Sequence, residues 1–270
     1  MADVVANAAV RGGVFGEERE APAAHTSSAF DQLLKASRRS VGAGTILVME
    51  GGDSGSVYLA LSGWLAVSKS LPDGARQIVD IVLPGGFIDP CSADGDTSAA
   101  QVETLSRVEV AIVPRATWKQ LTGADPAART VQDMATAAAL ARMSERMLRL
   151  GKASAETRIA YALIELCMRL SAIGGGDGAV YHLPLTQQHL GEYVGLSSVH
   201  VCRTMGRLSR SGMITMTNHM NIVIDDLDRL ADSAGIDVAT LGDEIIGRRW
   251  SSTRADAPGL CPILSCSSTF

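Results

Sequence analysis

The chain has 270 residues, 46% of them hydrophobic, and a formal net charge of −5 at pH 7. This length exceeds the usual size of one domain, so two domains are expected, and no apolar run approaches the roughly 18 to 20 residues that a membrane-spanning helix needs. The first residues lack the charged start and long apolar stretch of a secretory signal, so we expect a protein of the cytoplasm.

The N-terminal part predicts antiparallel β-structure behind a short arm. Residues 1–28 are rich in Ala and Gly without a sustained period, and we expect a flexible arm there. Phe30 and Leu34 then indicate a short helix. Brief apolar runs separated by glycines follow, with a strong turn signal at 72–74, and these are typical of a barrel or roll. We assign residues 29–124 to this domain.

A long helix is predicted over residues 125–151. Asp125 is a suitable N-cap, and Pro126 suits the first helical position. In its second half, apolar side chains recur at steps of three, four and three residues, the spacing of a coiled-coil seam; they are Leu140, Met143, Met147 and Leu150. The alternative is that the helix packs only on its own roll, through a second stripe that includes Val131 and Met134.

The segment 185–214 has the pattern helix, turn, helix. Thr186 can cap the first helix, Gly195 ends it, and Ser197 or Ser198 can cap a second helix that runs to about Ser211. The first turn of the second helix could enter a major groove, where arginine binds guanine and histidine bonds a base edge. The alternative is an ordinary helical hairpin with a solvated basic face.

Local charge favours DNA binding despite the acidic total. Between residues 186 and 224 the only acid is Glu192, whereas the second helix carries three arginines. The candidate DNA-contacting residues are Thr186, Gln187, Ser197, Ser198, Val199, His200, Cys202, Arg203, Arg207 and His219. We expect affinity that falls steeply with salt.

Two short strands after the second helix predict a wing. Residues 213–217 and 221–224 alternate around an Asn-containing turn with His219 at its tip. Asp225 is the expected cap of a last short helix. We assign residues 152–235 to a winged helix-turn-helix domain and 236–270 to a C-terminal extension without regular structure. The fold class is therefore α+β: an N-terminal antiparallel β-roll, a long dimerisation helix and a C-terminal winged helix-turn-helix.

The residues from 186 to 214 resemble the DNA-binding domain of the CRP/FNR superfamily of bacterial transcription regulators. The VHVCR segment is similar to the VHVNR variant frequent in members from alpha-proteobacteria. Many members carry glutamate where this chain has Val199, and Ser or Asn where it has Cys202. The resemblance therefore identifies Arg203 as the base-reading arginine but does not transfer the usual half-site preference.

The roll resembles the cyclic-nucleotide-binding superfamily as well. The matching residues are Gly44, Glu50, Gly51, Tyr58, Gly63, Asp73, Gly74, Pro84, Gly85 and the VEVAIVPR segment that ends at Arg115. The resemblance implies a homodimer that binds a palindromic DNA site, contacts RNA polymerase and works in the bacterial cytoplasm, with the long helix pairing to its twin.

The family's ligand-binding groups are not present where a cyclic nucleotide would need them. A carboxylate for the ribose and an arginine for the phosphate are required, and the equivalent positions read Asp89-Pro90 and Ser98-Ala99-Ala100. An iron–sulfur cluster needs about four thiolates, and the N-terminal arm contains none. Haem would need an axial ligand, for which His25 is a poor candidate. We predict no cofactor and no cyclic nucleotide.

Two other functions are alternatives to DNA binding. An enzyme is not indicated, because no nucleophile–base pair or metal-ligand spacing occurs. A small-molecule or redox sensor is the alternative: Cys202, beside Arg203 in the first turns of a helix, is a candidate for oxidation that would weaken DNA binding. The five cysteines form no C-x-x-C pair, so a disulfide framework is not expected.

Overall fold

The computed structural model describes residues 29–93, 95–174, 180–217 and 220–246. The arm predicted at 1–28, and His219 at the predicted wing tip, lie outside this range.

The chain divides into two compact units. Unit 1 comprises the described parts of Met1–Val67 and Ile81–Thr136, and unit 2 comprises Ser68–Asp80 and the described parts of Ala137–Phe270. The chain thus enters unit 2 briefly at Ser68 and returns to unit 1 after Asp80.

Eight strands and three helices account for the N-terminal part. The strands are β1 (Arg38–Val41), β2 (Ile46–Val48), β3 (Ser56–Ser62), β4 (Leu65–Ser70), β5 (Arg76–Val82), β6 (Phe87–Ile88), β7 (Gln101–Thr104) and β8 (Val108–Pro114). The helices are α1 (Ala29–Ser37), α2 (Arg115–Ala124) and the start of α3 (Pro126–Lys152). The strands form two four-stranded sheets, in the orders β1-β8-β3-β6 and β2-β7-β4-β5. The paired strands run antiparallel, which confirms the predicted roll.

Alternation along β3 explains how unit 1 is packed. Tyr58 and Ala60 join a cluster of buried residues from both sheets, whereas Val57 and Leu59, which point to the other face, pack with the helices around Trp118. The indole Nε1 of Trp118 donates a hydrogen bond to Gln132 Oε1 at 2.6 Å. Both faces of this strand are therefore covered.

Unit 2 is built around one buried helix, α4 (Ala155–Ala172), in which all residues from Ile159 to Leu170 are buried. Its other elements are β9 (Val180–His182), α5 (Gln187–Val194), α6 (Ser198–Arg210), β10 (Ile214–Thr217), β11 (Asn221–Ile224), α7 (Leu227–Ala234) and α8 (Val238–Ile245). α4 contacts α5, α6 and α7. The small Cys167 is buried in this helix.

Several boundaries differ from the sequence prediction for local reasons. The long helix continues through Gly151 to Lys152, because the hydroxyl of Ser154 caps α4 only after that point. Asp226 rather than Asp225 caps α7, by accepting from the amide of Arg229 at 3.0 Å, while Asp225 accepts from the hydroxyl of Thr215 at 2.7 Å.

Three elements were not predicted at all. α2 lacks a side-chain cap at its start, and β9 is only three residues long, so neither carries a strong local signal. α8 lies inside the predicted irregular extension and is capped by Asp237. Within the described residues, no helix has the length and apolarity required to span a membrane.

Candidate nucleic-acid interface

The first helix of the pair, α5, begins with a reciprocal cap. The hydroxyl of Thr186 accepts from the amide of His189 at 3.0 Å, and the ring Nδ1 of His189 accepts from the amide of Thr186 at 3.3 Å. The cap on Thr186 was predicted; the role of His189 was not, because glutamate or glutamine is the usual partner at that position. Thr186 and Gln187 are both exposed at this end.

Two glycines set the turn between α5 and α6. Gly195 ends α5 in the left-handed conformation, with φ of 66°, which residues with a side chain rarely adopt. At Gly191 a Cβ atom would lie 2.4 Å from the carbonyl oxygen of Leu196. No larger residue fits there without moving the backbone, so the close approach of the two helices requires glycine.

The second helix, α6, buries one face and exposes the other. Ser197 is its N-cap, with the hydroxyl accepting from the amide of His200 at 3.3 Å. The buried side chains are Val201, Thr204, Met205 and Leu208. The predicted DNA-contacting residues of this helix and its cap are all exposed: Ser197, Ser198, Val199, His200, Cys202, Arg203 and Arg207. The structure therefore brings them together on one surface, which we call the reading face.

The arginines of the reading face differ in their partners. Arg207 Nη1 lies 3.1 Å from Glu156 Oε2, and the hydroxyl of Ser233 donates to the other oxygen of Glu156 at 3.2 Å. Sequence spacing gave no sign of this pairing. Among the residues that the structure describes, Arg203 forms no ion pair, so its guanidinium is available to an external acceptor.

The one acid of the segment is held away from the reading face. Glu192 Oε2 lies 3.4 Å from Arg76 Nη1, and Glu192 Oε1 accepts from Gln188 Nε2 at 2.9 Å. The negative charge is thus balanced locally, which leaves the reading face net positive.

The wing is a three-stranded sheet in the order β10-β11-β9. Ile214 pairs with Ile224 and Thr217 with Asn221 in the predicted antiparallel hairpin. β9 adds a third strand, and His182 Nδ1 lies 2.6 Å from Asn221 Oδ1. This extra strand pairs with β11 from Asn221 to Val223 and therefore supports the end of the hairpin next to its turn.

In the loop of the roll that corresponds to a nucleotide site, the side chains bond to groups of the roll itself. Arg115 Nη2 donates to both carboxylate oxygens of Asp89 at 2.8 Å, and Arg115 also contacts the sulfur of Cys91. Ser98 is buried, with its hydroxyl donating to the carbonyl of Ala100 at 2.6 Å. Arg115 is therefore already paired with a carboxylate of the same loop, that of Asp89.

The long helix α3 carries an exposed apolar stripe. Leu140 is 62% exposed and Met147 is 71% exposed, and Met143 lies between them. Leu150, the fourth residue of the predicted seam, is half-buried. A Cβ atom on Gly195 would lie 2.6 Å from Leu150 Cδ2, so Leu150 also packs within unit 2.

Two family profiles match the chain in separate regions. The one described as "Cyclic nucleotide-binding domain" matches residues 38–125, and the one described as "Crp-like helix-turn-helix domain" matches residues 157–233. The first match lies in the roll, and the second contains the helix pair and the wing.

The relatives are regulators of transcription rather than enzymes. A "Probable transcriptional activator" of Rhizobium leguminosarum is 28% identical over 194 residues, covering 72% of this chain and 79% of the relative. The nitrogen fixation regulation protein FixK of Bradyrhizobium diazoefficiens is 31% identical over 162 residues, covering 60% and 67%. The solved structure of FixK2 from Bradyrhizobium japonicum superposes with a TM-score of 0.66 at 26% identity, covering 74% of this chain and 98% of that one. The chain therefore belongs to the CRP/FNR family of transcription regulators and carries that family's DNA-binding helix-turn-helix.

Proposed function

We propose that the chain acts as a homodimer that reads an inverted repeat in double-stranded DNA in the bacterial cytoplasm. The exposed reading face on α6, which includes an Arg203 that forms no ion pair with the described residues, is the observation that carries this proposal. Residues 29–124 form a sensor-like roll, 125–151 the dimerisation helix and 152–235 the DNA-binding domain. The bound dimer contacts RNA polymerase, as regulators of this family do.

Direct reading of bases is assigned to the first turns of α6. Arg203 donates to a guanine edge and His200 bonds a neighbouring base, since such groups discriminate bases in the major groove. Phosphate and groove-wall contacts come from the remaining exposed residues, which are Thr186, Gln187, Ser197, Ser198, Val199, Cys202, Arg207 and His219. Phosphate contacts fix the register but carry no direct sequence information.

Dimerisation is supported by the stripe on α3. Apolar side chains at heptad-like spacing on a helix surface, exposed to solvent in a single chain, are typical of a coiled-coil partner face. Leu140, Met143 and Met147 are the proposed contacts, with Leu150 at the end of the seam. A twofold pair would place two reading faces one turn of DNA apart.

Control by a cyclic nucleotide is not part of the proposal. A buried phosphodiester would need a free arginine, and Arg115, the arginine at this loop, is bonded to Asp89. The position where the family places a phosphate-binding arginine holds buried Ser98. A cyclic nucleotide could therefore use Arg115 only after the ion pair between Arg115 and Asp89 had been separated.

Arg203→Ala should lower the affinity for a duplex enriched from random DNA by the wild-type protein. We expect a loss of roughly thirtyfold to ten-thousandfold, because each of the two subunits loses a bidentate guanine contact that contributes about 1–3 kcal/mol. Fluorescence anisotropy titrations over a salt series provide the measurement. Arg207→Ala, which removes a proposed phosphate contact, is the matched control: it should weaken all sequences alike and lower the salt slope by about two, one for each subunit. Equal discrimination between sequences by wild type and Arg203→Ala would contradict the assignment.

Replacing the stripe with charge should separate the subunits. Leu140→Glu combined with Met147→Glu places four like charges in the seam of a dimer, and sedimentation equilibrium should then report a monomer with lost affinity for the inverted repeat. Thr130→Glu, which adds one negative charge per subunit at an exposed position near the start of the same helix, should leave the dimer intact. A doubly substituted protein that remains dimeric would show that the seam lies elsewhere.

Isothermal titration calorimetry with cyclic AMP and cyclic GMP should give no binding heat up to millimolar ligand. The affinity for the enriched duplex should be the same with and without either nucleotide. Saturable heat with either one would overturn this part of the proposal and would favour a ligand-sensing roll.

Redox sensing at Cys202 is a second proposal, supported by the exposure of this thiol on the reading face. Oxidation by hydrogen peroxide to a sulfinate would add negative charge facing the phosphates. Peroxide should therefore weaken DNA binding by the wild-type protein more than binding by Cys202→Ser. Equal weakening of the two proteins would refute redox control at this residue.

A further inference from the structure

Segment 68–80, the part of the β4–β5 hairpin that belongs to unit 2, contacts α3 through buried charges. Asp80 Oδ2 lies 2.6 Å from Arg142 Nη2, and Asp80 Oδ1 lies 3.1 Å from Arg146 Nη2. Arg146 Nη1 also donates to the carbonyl of Val79 at 2.5 Å. Residues four positions apart on a helix share a face, so one carboxylate holds both arginines. All three charged side chains are at most 10% exposed.

The same two arginines face a second carboxylate, that of Glu165 in α4, which is 0% exposed. Arg146 Nε lies 3.7 Å from Glu165 Oε2, and Arg142 Nε lies 4.0 Å from Glu165 Oε1. Arg169 completes the cluster, with its Nη1 at 3.0 Å from Glu165 Oε1. Three buried guanidinium groups thus face two buried carboxylates, which leaves the cluster with one positive charge in excess.

The cluster reaches the DNA-reading helix pair through Tyr193 in α5. The hydroxyl of Tyr193 donates to both carboxylate oxygens of Glu165 at 3.0 Å. The guanidinium of Arg146 lies 4.3 Å from the centre of the Tyr193 ring. Segment 68–80 also bonds α5 directly, because Gln77 Nε2 donates to the carbonyl of Tyr193 at 3.2 Å. Hydrogen bonds to charged groups are short and directional, so they fix an orientation that apolar packing alone would leave less defined.

The carboxylate of Asp80 is charged at physiological pH. Burial alone would raise its pKa, but the guanidinium groups of Arg142, Arg146 and Arg169 outweigh burial and lower the pKa from 3.8 to about 2. Because the folded pKa is the lower one, the stabilisation is present above the unfolded value and is lost only as the pH falls toward 2. Removing this charge would leave Glu165 alone against three buried guanidinium groups, which is costly.

We propose that Asp80 is a positioning residue for DNA reading: through Arg142, Arg146 and Glu165 it fixes the orientation of α5 and α6 relative to the dimerisation helix. Segment 68–80 is then a control element of the DNA-binding unit, although it is not part of the helix-turn-helix. The idea rests on the proposed function, because only a dimer on an inverted repeat requires both reading faces at a fixed separation. Binding to a single half-site does not require a fixed separation of the two reading faces.

The test compares Asp80→Asn with Asp73→Asn in the full-length protein. Asp73 is an exposed acid of the same segment, whose carboxylate accepts from the amide of Ala75 at 2.9 Å, so its replacement removes the same charge outside the cluster. Two duplexes are used as probes, one with both half-sites of the enriched sequence and one with a single half-site. Amide hydrogen exchange of residues 187–210 is measured without DNA.

Asp80→Asn should lower the affinity for the two-half-site duplex by about tenfold, a coupling of ordinary size, while the single half-site is bound as by wild type. Exchange in residues 187–210 should be faster than in wild type. Asp73→Asn should change none of these quantities. Tyr193→Phe removes only the hydroxyl that bonds Glu165. It should also lower the affinity for the two-half-site duplex and not for the single half-site, but by a smaller factor. It replaces Asp80→Asn as the test variant if that variant does not fold.

Equal losses on both duplexes, or unchanged exchange in both Asp80→Asn and Tyr193→Phe, would overturn the proposal. A wild-type protein that binds neither duplex would refute the proposed function instead. The exchange measurement would still decide whether Asp80 orders the helix pair, so the two failures remain distinguishable.

Discussion

The buried carboxylate of Glu165 is the constraint on which the DNA-binding unit depends. A buried carboxylate must be paired and hydrogen-bonded. The groups that bond Glu165 lie in three helices: Arg142 and Arg146 in the long helix, Arg169 in the same helix as Glu165, and Tyr193 in the helix-turn-helix. Asp80, in the β4–β5 hairpin, pairs in turn with Arg142 and Arg146. Each partner is useful only if the others are in place. The cluster therefore ties the arrangement of these elements to one electrostatic balance.

The reading face follows from this arrangement together with local sequence. Gly191 permits the close crossing of α5 and α6, and Ser197 starts α6 at the point where its first turn is free of the core. The apolar side of α6 is buried, so polar and basic side chains face outward, and of the two arginines on the reading face only Arg207 is paired with an acid of the described residues, Glu156. An acidic protein thus presents a basic surface where DNA is expected to bind, because the position of a charge matters more than the total.

The parts of the molecule that rest on local pattern could be predicted from sequence. The roll, the long helix, the helix pair with its caps on Thr186 and Ser197, and the wing hairpin all have periodicity or turn residues that specify them. The cluster around Glu165 could not be predicted, since Asp80 lies 62 residues from its partner Arg142 and Tyr193 lies 28 residues from Glu165 in sequence. Nothing local marks Asp80 or Glu165 as buried. The same holds for Glu156, which pairs with Arg207 across 51 positions. β9 is too short to stand out and forms only because β11 offers an edge.

The central claim is that two reading faces, held at a fixed separation, recognise one DNA site together. Selection of bound sequences from random duplex DNA by the full-length protein tests it most directly. The account predicts enrichment of an inverted repeat whose half-site centres lie about 10 base pairs apart, one turn of the double helix. Enrichment of a single unrepeated half-site, or of no sequence at all, would contradict it.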